Sequence, residues 1–422
     1  MRRPARGFPG LPPAGPGRVL ALGQLANSIG DGAFYATSAL FFTRVVGVSP
    51  SRVGIALTVG WACGMLAGVP LGHLADRRGP RRVTVALALA TAAALGGLLV
   101  VRSFPLFVLV VCVYACCQGG LNSARQALLA GLVEPARRTV VRAHLQSTLN
   151  AGLAVGAGLG GLALTFDDAA SYRAVLAMDA VSFVVAAVIL RRLPEVVPGD
   201  TGRPPGGPRA AVLRDRPYAM LMLLSAVMYL NMPILSLGLP LWIVRRTEAP
   251  GSTAAVILVV NMLTVVLFQV RVSRRVDGPR GAVRASRRAG ALMLAACAVF
   301  ASSAAPVGAV AAVAILVAAA LIQVFAEMLH GASAAELGFG LAPDGRQGQY
   351  QGFFGMAPQL ARMAGPLVLT WLLVGQGPSG WLVLGALFLL SGLAVGPVVR
   401  LALAGSTGER PARTARAARA VR

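Results

Sequence analysis

Gly72-His73-Leu74-Ala75-Asp76-Arg77-Arg78-Gly79-Pro80-Arg81-Arg82 is the stretch on which the reading of this chain turns. It forms a short charged loop between two apolar runs, near residues 53 to 72 and 83 to 101. Gly72 and Gly79 permit close backbone approach and a tight turn. The Asp76 carboxylate can accept hydrogen bonds from backbone N–H groups at a helix amino terminus, where the helix dipole favours negative charge. The start of a later helix, around Gly352, is the expected partner. Arg78 and Arg82 read as markers of one membrane face.

Working outward, the whole chain has the same grain. Of its 422 residues 56% are hydrophobic and only 13% charged, against roughly a quarter charged in a soluble domain. An ordinary water-soluble enzyme is excluded, and the chain reads as a membrane protein. The formal charge of +24 comes from 39 basic and 15 acidic residues, and every basic residue is arginine. These arginines fall in short gaps between apolar runs and build no basic face, so no nucleic-acid partner is expected. Cys63, Cys112, Cys116, Cys117 and Cys297 all lie inside apolar runs without ligand spacing, which gives neither a disulfide nor a metal framework.

Crossing about 30 Å of hydrocarbon takes about 20 helical residues. Runs of that length recur near 19–43, 53–72, 83–101, 105–133, 144–166, 172–190, 217–244, 252–270, 287–304, 307–333, 352–374 and 380–403, twelve in all. The first run is longer than the apolar core of a secretory signal and is read as a span. With the amino terminus cytoplasmic, 31 arginines fall in inside segments and six outside, at Arg44, Arg52, Arg102, Arg173, Arg245 and Arg246. The positive-inside rule then places both termini in the cytoplasm of a multi-pass cell-membrane protein. The expected organisation is a cytoplasmic arm (1–18), a six-helix bundle (19–193), a cytoplasmic linker (194–216), a second six-helix bundle (217–403) and a basic cytoplasmic tail (404–422). Both ends read as disordered arms near anionic lipid.

The two halves repeat. Gly79-Pro80-Arg81 aligns on Gly278-Pro279-Arg280 at an offset of 199 residues, each after the second span of its half. The motif Gly72-x-x-x-Asp76-Arg77-x-Gly79-x-Arg81-Arg82, between the second and third of twelve spans, resembles the motif A signature of the major facilitator superfamily. The resemblance implies an all-α polytopic membrane fold of two pseudo-symmetric six-helix bundles. It also implies that the loop holding Gly72, Asp76, Arg77, Gly79 and Arg81 acts as a cytoplasmic gate that latches the halves. Arg275 stands where Asp76 stands in the first copy, so only the first latch is expected to be strong.

In the fifth span Gly152, Gly156 and Gly160 recur every four residues on one helix face, with Gly161 beside them, which lets a neighbouring helix approach closely. This string is similar to motif C of the superfamily's proton-coupled drug exporters, and departs from it at Ala157, where that family has proline. Gly365-Pro366 is the candidate for a comparable kink in the other half.

Charges at membrane depth cost a few kcal/mol or more and are functional candidates. Asp31 lies 13 residues past Arg18, about 20 Å along the first helix, and is the leading proton-coupling candidate; the alternative is a carboxylate bonded to Ser28 or Thr37. Glu327 and Arg362, in spans ten and eleven, lie at depths differing by about 5 Å and are read as a pair. That pair is either a structural clamp or a switch opened by protonation. His330, one turn from Glu327, either shares its proton or bonds a carbonyl. The family resemblance makes Arg125 in span four a further coupling candidate, or else it snorkels or bonds Asp76, and Asp179 is read as a packing residue. The family resemblance assigns the cavity lining to spans one, four, seven and ten. Asn27, Tyr35, Tyr114, Gln118, Tyr229, Asn231 and Gln323 are the candidate contacts, sparse enough to suit a hydrophobic or amphipathic small molecule.

The expected function is secondary active transport: proton-coupled efflux of a drug-like or secondary metabolite by an antiporter working through alternating access. The partners are the substrate, protons and the lipid bilayer, and the protein is expected to be a monomer without cofactor, metal or enzymatic activity. The rivals are a gradient-driven importer and a non-transporting sensor on the same fold.

Overall fold

A computed structural model describes residues 12, 14–166, 168–196, 211–343 and 345–419. Among the described residues every regular element is helical and none is a strand. Helix α1 (Pro16–Leu40) runs into a π-helical turn, Phe41–Val45, and is followed by α2 (Pro50–Arg78), α3 (Pro80–Val100), α4 (Phe104–Leu132), α5 (Pro135–Phe166) and α6 (Ala169–Arg191). A short 3-10 turn, Ala211–Arg214, precedes the interrupted seventh rod, made of α7 (Arg216–Met228), α8 (Asn231–Pro233), a π turn at Ile234–Gly238 and α9 (Leu239–Arg246). Then come α10 (Thr253–Ser273), α11 (Gly278–Ser302) and α12 (Ala309–Gly340). The eleventh rod is broken into α13 (Gln347–Phe354) and α14 (Met356–Leu369) with a π turn at Thr370–Gly375, and α15 (Pro378–Arg419) ends the described chain.

These elements group into twelve rods at the positions of the twelve apolar runs, the arrangement of an all-α polytopic membrane protein. Among the described residues nine rods are long and apolar enough to cross a bilayer. The other three carry polar residues along their length: α1 holds Gln24, Asn27, Ser28 and Asp31, α11 holds Arg280, Arg284, Arg287 and Arg288, and α13 begins Gln347-Gly348-Gln349-Tyr350-Gln351.

Local chemistry sets the ends. Proline in the first turn of α1, α3, α4, α7 and α11 presets φ where no intrahelical N–H is needed. The Asp168 carboxylate caps α6 by accepting from the Ser171 N–H at 2.6 Å, and Asp215 caps α7 through the Tyr218 N–H at 3.1 Å. The charged stretch that opened the sequence reading is not a loop: Gly72 to Arg78 form the last turns of α2. Only Gly79 lies outside helix, with φ 92°, ending α2 and beginning α3. A left-handed glycine needs no further residues to reverse the chain, so the helix continues past the apolar run. The second copy repeats the positive-φ glycine ahead of proline at Gly278, φ 62°, but there residues 274–277 separate α10 from α11.

The structure divides into two compact units. The first comprises Met1–Arg209, Ala255–Arg275 and Ala342–Gln359; the second comprises Ala210–Ala254, Val276–Leu341 and Leu360–Arg422. In the first, α1 packs on α5 and α6, α2 on α4, and α3 on α4 and α6, while α13 lies against α2 and α4. Its core includes Phe34, Phe41, Phe42 and Phe107, with the Phe42 and Phe107 rings 4.8 Å apart. In the second, α11 packs on α12 and α15, and α15 on α7. Buried Trp242, Phe300 and Trp381 join there, Trp381 stacked on Phe300 at 4.8 Å and edge-on to Trp242 at 5.7 Å. Most of the expected linker 194–216 and of the arm 1–18 lies outside the described residues. The tail from 404 continues α15 to Arg419, in keeping with the high helix propensity of alanine and arginine.

Candidate functional site

The glycine ladder brings α5 onto α1. A methyl at Gly156 would strike the Ile29 carbonyl oxygen, one at Gly152 would lie 2.6 Å from Ser28 Cβ, and one at Gly160 would lie 2.9 Å from the Ala33 carbonyl oxygen. Gly161 faces open space. This backbone contact along Ile29–Ala33 fixes the segment that carries Asp31.

Asp31 is 7% exposed, enough to place it inside the helix bundle. Its Oδ2 accepts from Asn27 Nδ2, four residues earlier on the same helix face, and its Oδ1 lies 3.5 Å from Gln118 Nε2 on α4. Gln118 Nε2 also donates to the Tyr114 hydroxyl oxygen at 3.0 Å. Arg125, two turns further along α4, donates to Asn27 Oδ1 at 2.8 Å and to Gln24 Oε1 at 3.2 Å. The guanidinium therefore reaches the carboxylate through one amide: Asn27 receives from Arg125 and donates to Asp31. Five residues singled out in the sequence, Asn27, Asp31, Tyr114, Gln118 and Arg125, form one connected network between α1 and α4.

The structure decides several alternatives. Arg125 bonds the glutamine and asparagine of α1, not Asp76. The hydroxyls named as alternative partners of Asp31 turn back on their own helix, Ser28 to the Gln24 carbonyl at 2.7 Å and Thr37 to the Ala33 carbonyl at 3.0 Å. Gln24 was not foreseen; the signal was its place one turn before Ser28 and two before Asp31. Tyr35 is 51% exposed. Asp179 on α6 is fully buried, receives the Ser182 hydroxyl at 3.3 Å on Oδ1 and packs against Gly30, while its Oδ2 is buried without a hydrogen-bond partner.

The α2 carboxylate is also placed. Asp76 Oδ1 accepts from the Gly348 N–H at 2.7 Å and Oδ2 from the Gln349 N–H at 2.9 Å, in the first turn of α13. That is one turn before Gly352, the position read from sequence. A methyl at Gly72 would strike the Gly348 carbonyl oxygen, so the contact requires glycine on α2. Arg77 and Arg78 are exposed. Arg81 donates to the Leu193 carbonyl at 2.8 Å and to Glu195 Oε1 at 2.8 Å, while Arg82 Nε donates to the same oxygen at 2.7 Å. Arg82 thus has a specific partner and is more than a marker of the face. The Arg82 hydrogen bond, with the charge of Arg81, holds the Glu195 carboxyl below the usual carboxylate range. In the second copy Arg275 replaces the aspartate, and the N–H of Gly278 is met by Glu336 Oε1 at 3.1 Å.

In the second unit, Asn231 forms part of the break in the seventh rod, and its carbonyl accepts from Gln323 Nε2 of α12 at 3.3 Å. His330, two turns along α12, meets Tyr229 edge to face at 4.8 Å. Among the described residues Asn231 Oδ1, Gln323 Oε1 and His330 Nε2 are buried polar atoms without a hydrogen-bond partner. Glu327 is half-buried on α12 and Arg362 is exposed on α14. Gly365 packs on Pro233, a methyl there lying 2.5 Å from Pro233 Cγ.

Twelve helical rods, a repeated Gly-Pro turn and a polar core between the first and fourth rods define a polytopic membrane transporter. Residues 20–366 match the family model of the Major Facilitator Superfamily, and the chain belongs to that family. It is 26% identical over 358 residues to the uncharacterized MFS-type transporter YttB of Bacillus subtilis strain 168, covering 83% of this chain and 86% of that protein. Among solved structures it is similar to a bacterial homologue of the iron transporter ferroportin in the outward-facing state (TM-score 0.71, 16% identity, 92% of this chain and 99% of that one). The human organic anion transporter MFSD10 is similar with TM-score 0.66 and 19% identity over 90% of this chain and 99% of that one. The proton:xylose symporter XylE is similar with TM-score 0.66 and 15% identity over 89% of this chain and 93% of that one. At these identities the structural likeness speaks for the fold, and membrane transport follows from the family.

Proposed function

We propose that this transporter is a proton-coupled exporter of a hydrophobic or amphipathic small molecule working by alternating access, resident in the cell membrane with both termini cytoplasmic. The observation that carries the reading is the hydrogen-bonded chain Arg125–Asn27–Asp31–Gln118–Tyr114, in which Asn27, Asp31 and Tyr114 are buried and Arg125 and Gln118 half-buried. A carboxylate linked to a guanidinium through one amide has two states. Ionised, it is drawn toward the Arg125 charge through the polarised Asn27; protonated, it releases that attraction and frees the amide to rotate. Uphill transport needs a difference in binding between two conformations, and gain or loss of one proton at such a site provides it. Within the first unit Tyr114 and Gln118 supply isolated polar points in apolar surroundings, the chemistry of a site for amphipathic molecules; within the second, Tyr229, Asn231 and Gln323 have the same character. Asp76 on the α13 amides is proposed to act as a cytoplasmic latch, and Glu327 with Arg362 as a second charge pair.

The test is transport in proteoliposomes carrying an imposed pH gradient, with an amphipathic dye as probe. Asp31→Asn keeps the size and one of the two acceptor oxygens but cannot cycle a proton. It is expected to fold, to retain downhill exchange and to lose uphill flux. Full uphill transport by this variant would overturn the coupling assignment, and vesicles of known sidedness decide between export and import.

A further inference from the structure

We propose that Asp179 is a second proton-binding site, a carboxylic acid held beside the Asp31 carboxylate across the α1–α6 contact, so that the pair keeps one proton while Asp31 is ionised. Asp179 is 0% exposed, and among the described residues its Oδ2 is a buried atom without a hydrogen-bond partner. The Ser182 hydroxyl lies 3.3 Å from Oδ1 and 2.7 Å from the Asp179 main-chain carbonyl. A hydroxyl carries a single proton. Given to the nearer oxygen, it leaves Oγ turning a lone pair to Oδ1, an arrangement that repels a carboxylate and accepts from a carboxylic O–H. The α1 backbone closes the other side: a methyl at Gly30 would strike both Asp179 Oδ1 and Ser182 Oγ.

A carboxylate so placed needs a cation, since an unpaired buried charge takes up a proton instead. Helix α6 packs on α1, α3, α5 and the π turn at Phe41–Val45, and their cations stand at the ends. Arg18 is 12 residues before Gly30 on α1, and Arg44 is 14 past it. Helix α5 meets this level at Gly156, against Ile29, and its nearest basic groups, His144 and Arg142, precede Gly156 by 12 and 14 residues. Arg81 and Arg82 of α3 are tied to Leu193 and Glu195, 14 and 16 residues past Asp179. At 1.5 Å per residue each stands about 18 Å or more along the helices. On α6 itself Arg173, six residues back, is exposed, while Tyr172, Tyr35 of α1 and Tyr114 of α4 are phenols and bring no positive charge. The charge that acts on Asp179 is that of Asp31, the residue after Gly30. Two neighbouring carboxylates do not both ionise in a bundle interior. Asp31 is the one linked to a guanidinium, through Asn27, so Asp179 keeps the proton.

The inference deepens the coupling reading, on which its bearing on transport rests, but the proton itself is read without transport. The purified full chain in lipid nanodiscs is titrated with pH while the carboxylic-acid carbonyl stretch is followed by infrared spectroscopy in H2O and D2O. Near neutral pH the wild type is expected to show a buried acid band that Asp179→Asn removes and Asp31→Asn retains. Ser182→Ala keeps the acid and takes away its hydroxyl neighbour; it is expected to displace the band, and so reports on Asp179 even if the asparagine variant does not fold. As the pH is raised, the band is expected to vanish at a pH lower by about one unit or more in Asp31→Asn than in wild type, because the neighbouring negative charge is gone. A neutral-pH spectrum that neither Asp179→Asn nor Ser182→Ala alters shows an ionised Asp179 and overturns the proposal. So does equal titration of the band in wild type and Asp31→Asn, the behaviour of an acid that only packs. Uphill flux surviving in Asp31→Asn removes the coupling reading and leaves the band in place, whereas a missing band removes the second site and leaves coupling by Asp31 intact.

Discussion

Asn27 is the residue through which Arg125 and Asp31 communicate, and its amide can serve both because one end accepts and the other donates. Asn27→Leu should therefore separate the two charges, leaving Asp31 with Gln118 and Arg125 with Gln24. The expected result is a thermal midpoint lower by several degrees and uphill flux reduced at least tenfold, since each charge loses one hydrogen bond. At Asp76 a gentler change is informative: Asp76→Asn retains one acceptor oxygen where two N–H groups are bonded. Amide exchange at Gly348 or Gln349 should speed by about tenfold, the loss of one hydrogen bond to a charged group. Glu195 gives a pH dependence. Its folded-state titration lies below the ordinary value of 4.5, so the stability it adds is complete above that pH and is lost as pH falls through the lower folded value. The difference in melting temperature between wild type and Glu195→Gln should be constant near neutrality and vanish in acid.

At the scale of elements, α5 meets α1 backbone to backbone through its glycines. Gly156→Leu would drive a side chain into the Ile29 carbonyl and tilt the segment holding Asp31, so both thermal stability and uphill flux should fall. Gly161→Leu, facing open space, should leave both near wild type, and a purified pair compared by melting curves checks this. The sequence reveals elements unevenly. Apolar runs of about 20 residues mark the rods because lipid demands them, yet hydropathy is blind to where a helix continues beyond lipid, which is why Gly72 to Arg78 read as loop. The breaks at Leu230 and Gly355 were equally hidden, since neither lies in a polar run. Spacing did better than hydropathy at the network: Asn27 and Asp31, like Tyr114 and Gln118, sit four apart, and one polar helix face toward another is what such spacing produces. Gln24 escaped because a lone glutamine near a span end carries no such partner rule until Arg125 is seen beside it.

For the whole molecule, the arginine distribution gives the most direct prediction. Single cysteines placed near residue 80 and near residue 280 in a cysteine-free background should react with impermeant reagents only from the cytoplasmic side, and one placed near residue 247 only from outside; the opposite pattern would invert the proposed orientation. The repeat at Gly79 and Gly278 made the twofold plan of the chain readable from eleven residues, because a left-handed glycine before proline leaves a recognisable trace. The second copy has Arg275 in place of the aspartate, and there Glu336 from another helix meets the N–H of Gly278 itself, the equivalent of Gly79, a contact no alignment of the two halves could have anticipated.

The Gly79 turn has a mechanical corollary. A connection of one residue cannot lengthen, so a displacement of α2 at its Asp76 end would also shift the start of α3, with only the φ and ψ of Gly79 to absorb a change of angle. The start of α3 carries Arg81, whose exposed ion pair with Glu195 ties it loosely to the chain just past α6.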